Sequence, residues 1–367
     1  MKRLRFLIPT ILVIALFVCA VVVSGQLPFA DYFTKPEEYY TSTTVPPTEA
    51  PTEEPLTQEA TTQAPSTDRE LKISFVGDCM LGSMLGNAAE GSFNQYAKQY
   101  PNTYFFEKVS SYFLDDDYTI GNCEGVLSDS ELTPKARESE VQFWFKGPAS
   151  HADIFKVGGF DYLSTVNNHS KDFGMQGYED TVEALKSRGL DVGERDKILI
   201  REVSGIKLGL YSCSLYSYDY VYDILEKVEQ LKSEGCKLII IYFHGGIENV
   251  EEPEDWKIKA CREIVDAGAD LVVGSHPHRL QRAEEYNGGY IVYSLGNFCF
   301  GGNSYPKNET AIYTACFTVI DEEIAARKDI FIPCYVYTGS ENNYQPAVIE
   351  DQEKIDKIIS HLLPSEG

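Results

Sequence analysis

The chain has 367 residues, 43% of them hydrophobic, and a formal net charge of −24. It can bury a large core, but a surface this acidic excludes non-specific binding to nucleic acid or to an anionic membrane face. A polyanionic ligand would be repelled by the overall field and would need a local cation, such as a bound divalent metal pair, to overcome it.

The first residues, MKRLRFLIPTILVIALFVCAVVVSG, place Lys2, Arg3 and Arg5 before an uncharged apolar run from Phe6 to Val23. About 18 apolar residues approach the length needed to cross a bilayer. The basic flank predicts a cytoplasmic tip over residues 1–5. VVVSG is a poor cleavage site and the run is long for a signal peptide, so an uncleaved signal-anchor over residues 6–25 is expected. Val18 stands where a lipoprotein signal would want a small residue before Cys19. Residues 26–69 are rich in Thr, Pro and Glu, as in TTVPPTEAPTEEP. Such a segment cannot build a core and favours extended polyproline II. At about 3.1 Å per residue, some 35 residues would hold the body on the order of 100 Å from the membrane. The expected location is the bacterial cell membrane, single-pass, with the body outside.

Residues 70–367 read as the folded body. Apolar strand candidates are LKISFVG from Leu71, YTIGN from Tyr118, YLSTVN from Tyr162 and KLGLYS from Lys207. LIIIYFH from Leu238, LVVGSH from Leu271 and YIVYSLGNF from Tyr290 follow. Helices are expected over about 176–188, with Tyr178, Val182 and Leu185 on one face, and about 254–267, with Trp256, Ala260 and Ile264 on one face. Gly189 and Gly268 supply the stops. AIYTACFTVI and IFIPCYVY, after residue 303, would complete a sheet. Apolar strands with helical connections predict an α/β fold, two sheets flanked by helices. The nine cysteines include no C-x-x-C, which argues against a zinc ribbon or a thioredoxin-like site.

Metal-type side chains follow directly on these strands. FVG leads to Asp78, TIGN to Glu124 with Asn122 inside the turn, and LSTV to Asn167, Asn168 and His169. LIIIYF leads to His244, LVVGS to His276 and His278, and SLG to Asn297. Ligands in open α/β sheets bind beyond the carboxyl ends of strands, so strands distant in sequence would deliver these groups to one rim. Of the six histidines in the chain, only His151 and His361 fall outside these turns. Two divalent cations about 3.5–4 Å apart can clamp a phosphoryl group and generate a hydroxide nucleophile. Asp78 is a short carboxylate able to bridge them. His244, His276 and His278 offer neutral imidazoles, Asn168 an amide oxygen and Glu124 a second carboxylate. Nitrogen and oxygen donors without thiolate favour Mn, Fe or Zn.

The ordered stretches FVGDCMLG, GNCEGVLS, STVNNHSKDFGMQGYEDTVEALKSRG, YFHGGIE and DAGADLVVGSHPHRLQRAEEYNGGYIVYSLGNFCFGG resemble the bacterial capsule-synthesis family of CapA and PgsA. That family lies within the calcineurin-like metallophosphoesterase superfamily. The resemblance spans most of residues 71–302. It implies a metallophosphoesterase-like two-sheet sandwich with Asp78, Glu124, Asn168, His244, His276 and His278 as metal ligands. It implies His169 as the group that contacts the phosphoryl oxygen or protonates the leaving group, with Asp172 orienting it. Asn122, Asn167, Glu248, Glu284 and Asn297 would face substrate.

Four departures stand out. Met80 occupies the place of a superfamily histidine, Glu124 that of a second superfamily aspartate, Gly245 that of a frequent tryptophan and Asn249 that of a frequent tyrosine. The implied role is synthesis, export or anchoring of poly-γ-glutamate or a related capsular polymer, by hydrolysis of the polymer or of a phosphorylated precursor. The alternative is a non-catalytic metal-binding partner of a membrane capsule synthase.

Overall fold

A computed structural model describes residues 68–86, 91–136, 143–303 and 306–364. These belong to the unit Gln63–Gly367. The expected basic tip, signal-anchor and nearly all of the stalk lie outside the described residues. No helix among the described residues is long and apolar enough to cross a membrane.

Two sheets stack face to face. One runs Ala347–Val348, Glu323–Tyr335, Thr310–Ile320, Arg69–Met80, Tyr118–Cys123, Tyr162–Ser164 and Asp191–Gly193 in spatial order, and Asn297–Phe300 also pairs with Arg69–Met80. The other runs Leu280–Tyr286, Gly289–Leu295, Leu271–Ser275, Leu238–Gly245, Ile206–Leu215 and Ile198–Val203. The central pairings in both are parallel. Strands buried on both faces need apolar side chains at every position, which is why LIIIYF runs unbroken.

Leu71, Ile73 and Phe75 face Leu208, Leu210, Ile240 and Val273 across the inter-sheet core. Val76 and Cys79 turn to the other side, under helices Ala152–Gly158 and Gly174–Lys186. Ile239, Ile241 and Phe243 pack beneath helices Val221–Ser233 and Asp255–Asp266. The result is the expected two-sheet α/β sandwich flanked by helices. Thr310–Ile320 and Glu323–Tyr335 form an antiparallel hairpin that extends the first sheet, so the C-terminal apolar runs do complete a sheet. A small third sheet, Ser83–Met84 with Phe145–Gly147 and Val126–Leu127, was not legible in the sequence pattern.

The sheets place their carboxyl ends together. Asp78 sits opposite Asn122 on one neighbour and Asn297 on the other, and His244 sits opposite Ser275. Two backbones approach closely here: Asp78 N–H donates to Gly296 O at 2.9 Å. A Cβ on Gly77 would lie 1.9 Å from that same oxygen. Gly77→Ala should therefore destabilise the fold by about 2–4 kcal/mol, read by urea denaturation, because backbone on both sides must move. A wild-type midpoint would contradict this contact.

Candidate metal centre

Asp78 is fully buried. Its Oδ1 accepts from Asn122 Nδ2 at 2.9 Å and its Oδ2 from the His276 backbone N–H at 3.0 Å. One carboxylate thus ties the first sheet to the loop of the second. His278 Nδ1 lies 3.5 Å from Asp78 Oδ2 and 2.8 Å from Asn297 Oδ1. His244 Nδ1 lies 3.0 Å from Ser275 Oγ and 3.3 Å from Asp78 Oδ1. On the far side of its ring, Nε2 meets Asn168 Oδ1 at 2.9 Å and His276 Nδ1 at 3.0 Å. Two imidazole nitrogens and an amide oxygen therefore converge, the spacing of donors around one cation.

The loop that carries two of these histidines is bent to do so. His276 has φ 102° and His278 φ 56°. Positive φ at residues with a Cβ costs on the order of 1–3 kcal/mol and gathers at functional sites.

Glu124 is buried, and neither of its carboxylate oxygens has a hydrogen-bond partner among the described residues. Native structures rarely tolerate this without a ligand or ion. Burial pushes its carboxyl well above the ordinary range, and the nearby Asp78 charge adds to the shift. Burial opposes ionisation of Asp78 too, but His244 and His278 hold it well below the usual carboxylate range. Burial takes His276 down to about 2 and lowers His244, so both are unprotonated donors. For His278, burial is outweighed by the contact with Asp78 and the charge of Glu124, which push it up to about 10. Its proton supplies the positive charge that this carboxylate pair calls for, a place a cation can take with loss of the proton.

Two groups could each hold an ion: Asp78, Glu124 and His244, and Glu248, His276 and His278, each with ligand atoms within 4.8 Å of one another. The donor set fits divalent metal, and the orphaned Glu124 oxygens fit it best. Glu124→Gln keeps the shape and removes the carboxylate that a bound cation would need. It should leave the metal-free chain as stable or more so, and shrink the rise in Tm caused by Mn²⁺, read by calorimetry with and without the ion. A Mn²⁺ shift of wild-type size would take Glu124 out of the centre.

His169 stands at the edge of this cluster, its Nε2 3.9 Å from Glu124 Oε1. Its Nδ1 lies 2.9 Å from Asp172 Oδ2, so the carboxylate accepts the Nδ1 proton and leaves Nε2 facing the site. Asn167 Oδ1 accepts from the His169 backbone N–H at 3.1 Å. The N-N-H stretch is thus a tight side-chain-to-backbone turn, and the helix that follows begins at Gly174. Phe145 lies edge-on to the His169 ring at 4.9 Å, and its N–H donates to Asp172 Oδ2. Phe300 packs by His278, 5.2 Å between centroids. Met80 joins Phe145, Phe300 and Val336 in one apolar cluster. The place of the superfamily histidine is therefore filled by packing at the rim. A cavity of about 220 Å³ opens over Glu124, His169, Glu248, His278 and Asn297.

Of the residues expected to face substrate, Asn297 and Glu248 do border this cavity, and Glu248 also falls among the candidate metal donors. Asn122 and Asn167 sit behind the ligands, with Asn167 Nδ2 donating to Asn122 Oδ1 at 3.1 Å. Glu284 is not brought to the cluster. Ala283 faces the inter-sheet core, so its neighbour points the other way and binds Arg262, Tyr293 and Arg282. His151 and His361 bond to the backbone oxygens of Leu81 and Leu280, apart from the site. Gly245 has no room for the tryptophan seen in related motifs, because a Cβ there would lie 1.8 Å from Leu215 O. Phe145 and Phe300 were missed by sequence reasoning. Phe300 carried a faint signal, three residues after Asn297 at the end of Asn297–Phe300, and Phe145 none.

Comparison with known proteins gives the family. The capsule biosynthesis protein CapA of Bacillus anthracis is 30% identical over 259 residues, covering 64% of this chain and 60% of that protein. The PGA biosynthesis protein CapA of Bacillus subtilis is 28% identical over 255 residues, covering 64% of each. The chain thus spans slightly less than two thirds of the length of these relatives. A solved structure of a hypothetical protein from Thermus thermophilus aligns over 72% of this chain and 99% of its own, with TM-score 0.44 and 12% identity. A model of the bacterial capsule synthesis protein family PGA_cap matches residues 72–302, which include every residue of the metal centre from Asp78 to Asn297, and the chain belongs to that family.

Proposed function

We propose that this protein is a membrane-anchored, extracellular, metal-dependent hydrolase of phosphate esters. It would act in the synthesis, export or anchoring of poly-γ-glutamate or a related capsular polymer. The observation that carries the reading is the convergence of Asn168 Oδ1, His244 Nε2 and His276 Nδ1 within 3.0 Å contacts, beside a buried Glu124 carboxylate that nothing satisfies among the described residues. The apolar N-terminal run and the Thr/Pro/Glu-rich stalk support the location. The relatives' names support the capsule role, and the surface polymer or its precursor is the natural ligand. Bound Mn, Fe or Zn ions, two if both donor groups are filled, would polarise the ester and acidify water.

The chain's own residues account for the remainder. Asp78 holds charge and the neutral His244 and His276 offer donor nitrogens in a buried, low-dielectric site where charge acts strongly. Asp172 accepts the His169 Nδ1–H and so supports the imidazolium form, whose second proton, on Nε2, could be given to the leaving oxygen. Phe145 and Phe300 line the mouth and limit water.

Met80 favours a second reading, a non-catalytic metal-binding partner of membrane capsule synthase subunits, because one expected ligand is replaced by packing. Loading the purified chain with Mn²⁺, counting ions by elemental mass spectrometry and assaying a synthetic phosphodiester separates the two. About two ions with turnover supports the hydrolase. Bound metal without turnover supports the partner. No metal overturns both.

A further inference from the structure

The cavity over the metal centre continues beyond it. Asn249, Asn303, Pro306 and Lys307 border both it and a neighbouring cavity of about 520 Å³. Arg279, Lys307 and Glu309 border that second cavity and a third of about 190 Å³ against helix Gln352–Leu362. Shared walls make these one cleft leading away from His278. The metal centre alone has room for a small ester, so the extension needs another explanation.

Its charge is unlike that of the chain, whose net charge is −24. Lys307, Arg279, Lys354 and Lys357 line the extension against two carboxylates, Glu251 and Glu309. Lys307 borders all three cavities and is exposed. Neither it nor Lys357 has an ion-pair partner among the described residues. Lys354 is held in place, its ammonium 3.3 Å from the Tyr335 hydroxyl and 4.7 Å from that ring's centroid. Arg279 pairs with Glu251, yet its buried Nε meets no acceptor among the described residues. Unpaired cations aligned in a cleft focus field lines and draw in anions against an opposing net charge. Lys307, Lys354 and Lys357 lie beyond the residues 72–302 that match the family, while Asn249, Glu251 and Arg279 lie within them.

We propose that the extension is a subsite for a substrate that repeats its anionic groups along its length, one group at the metal centre and the next ones held by Lys307, Lys354 and Lys357. The proposal takes its starting point from the metal centre described under Proposed function. Its test reads binding and not turnover. The Mn²⁺-loaded full chain in detergent is titrated by fluorescence anisotropy into two labelled probes, a γ-linked glutamate oligomer of about ten units and a glycerol-phosphate oligomer of similar charge. The comparison protein is Lys307→Gln/Lys354→Gln/Lys357→Gln. The expected result is that at least one probe binds and weakens about tenfold in the variant at unchanged Mn²⁺ content, with the effect fading in high salt. The probe that binds more tightly tells carboxylate from phosphate. Equal binding to both proteins, or no binding of either probe, overturns the proposal. Lysine-dependent binding by a chain that hydrolyses nothing would remove the hydrolase reading and leave the subsite standing. Turnover of a small phosphodiester without oligomer binding would do the reverse.

Discussion

Asp78→Ala is expected to give a protein that retains no Mn²⁺ after desalting and hydrolyses phosphodiesters at least about 10³-fold more slowly than wild type. The size of the effect follows from what the carboxylate touches. Asp78 belongs to one of the two donor groups, and its other oxygen fixes the backbone of His276 in the second. Removing it takes a ligand from one ion and loosens the loop that delivers ligands to the other. It also takes one acceptor from the buried Asn122 amide N–H, at about 1–3 kcal/mol. A folded variant is therefore confirmed by circular dichroism before its metal is counted. Full metal content in folded Asp78→Ala would remove Asp78 from the centre.

His169→Gln separates holding the metal from using it. The imidazole lies beside the donor groups and belongs to neither, so metal content should be unchanged while kcat falls about 10²–10⁴-fold. Asp172→Asn should act in the same direction by about 10–100-fold, since the amide can hold the ring but no longer stabilises its protonated form. A wild-type kcat in His169→Gln at full metal content would mean that His169 moves no proton.

Much of the centre could be read from sequence because parallel strands buried on both faces announce themselves as unbroken apolar runs. Their carboxyl ends are where a polar residue has to be explained, and Asp78, His244 and Asn168 stood there. What could not be read depends on facing and on backbone turns. Glu284 follows the right motif, but alternation along its strand sends it outward once Ala283 is seen to face the core. Glu248 reaches the donors across a turn at Gly246, φ 98°, whose direction no spacing reveals. Phe145 arrives from a short strand with no periodicity, and Lys307 from a segment outside the motifs.

The bond from the His276 backbone to Asp78 joins residues 198 positions apart. When Asp78 leaves the ribosome, most of the chain, with every histidine of the site, has yet to be made. Closing so long a loop is unfavourable until the intervening sheets have formed. No fragment ending before His276 therefore owns both donor groups, because the second group draws on His276 and His278. An ion bound there would latch a finished fold and would not be the seed around which folding begins.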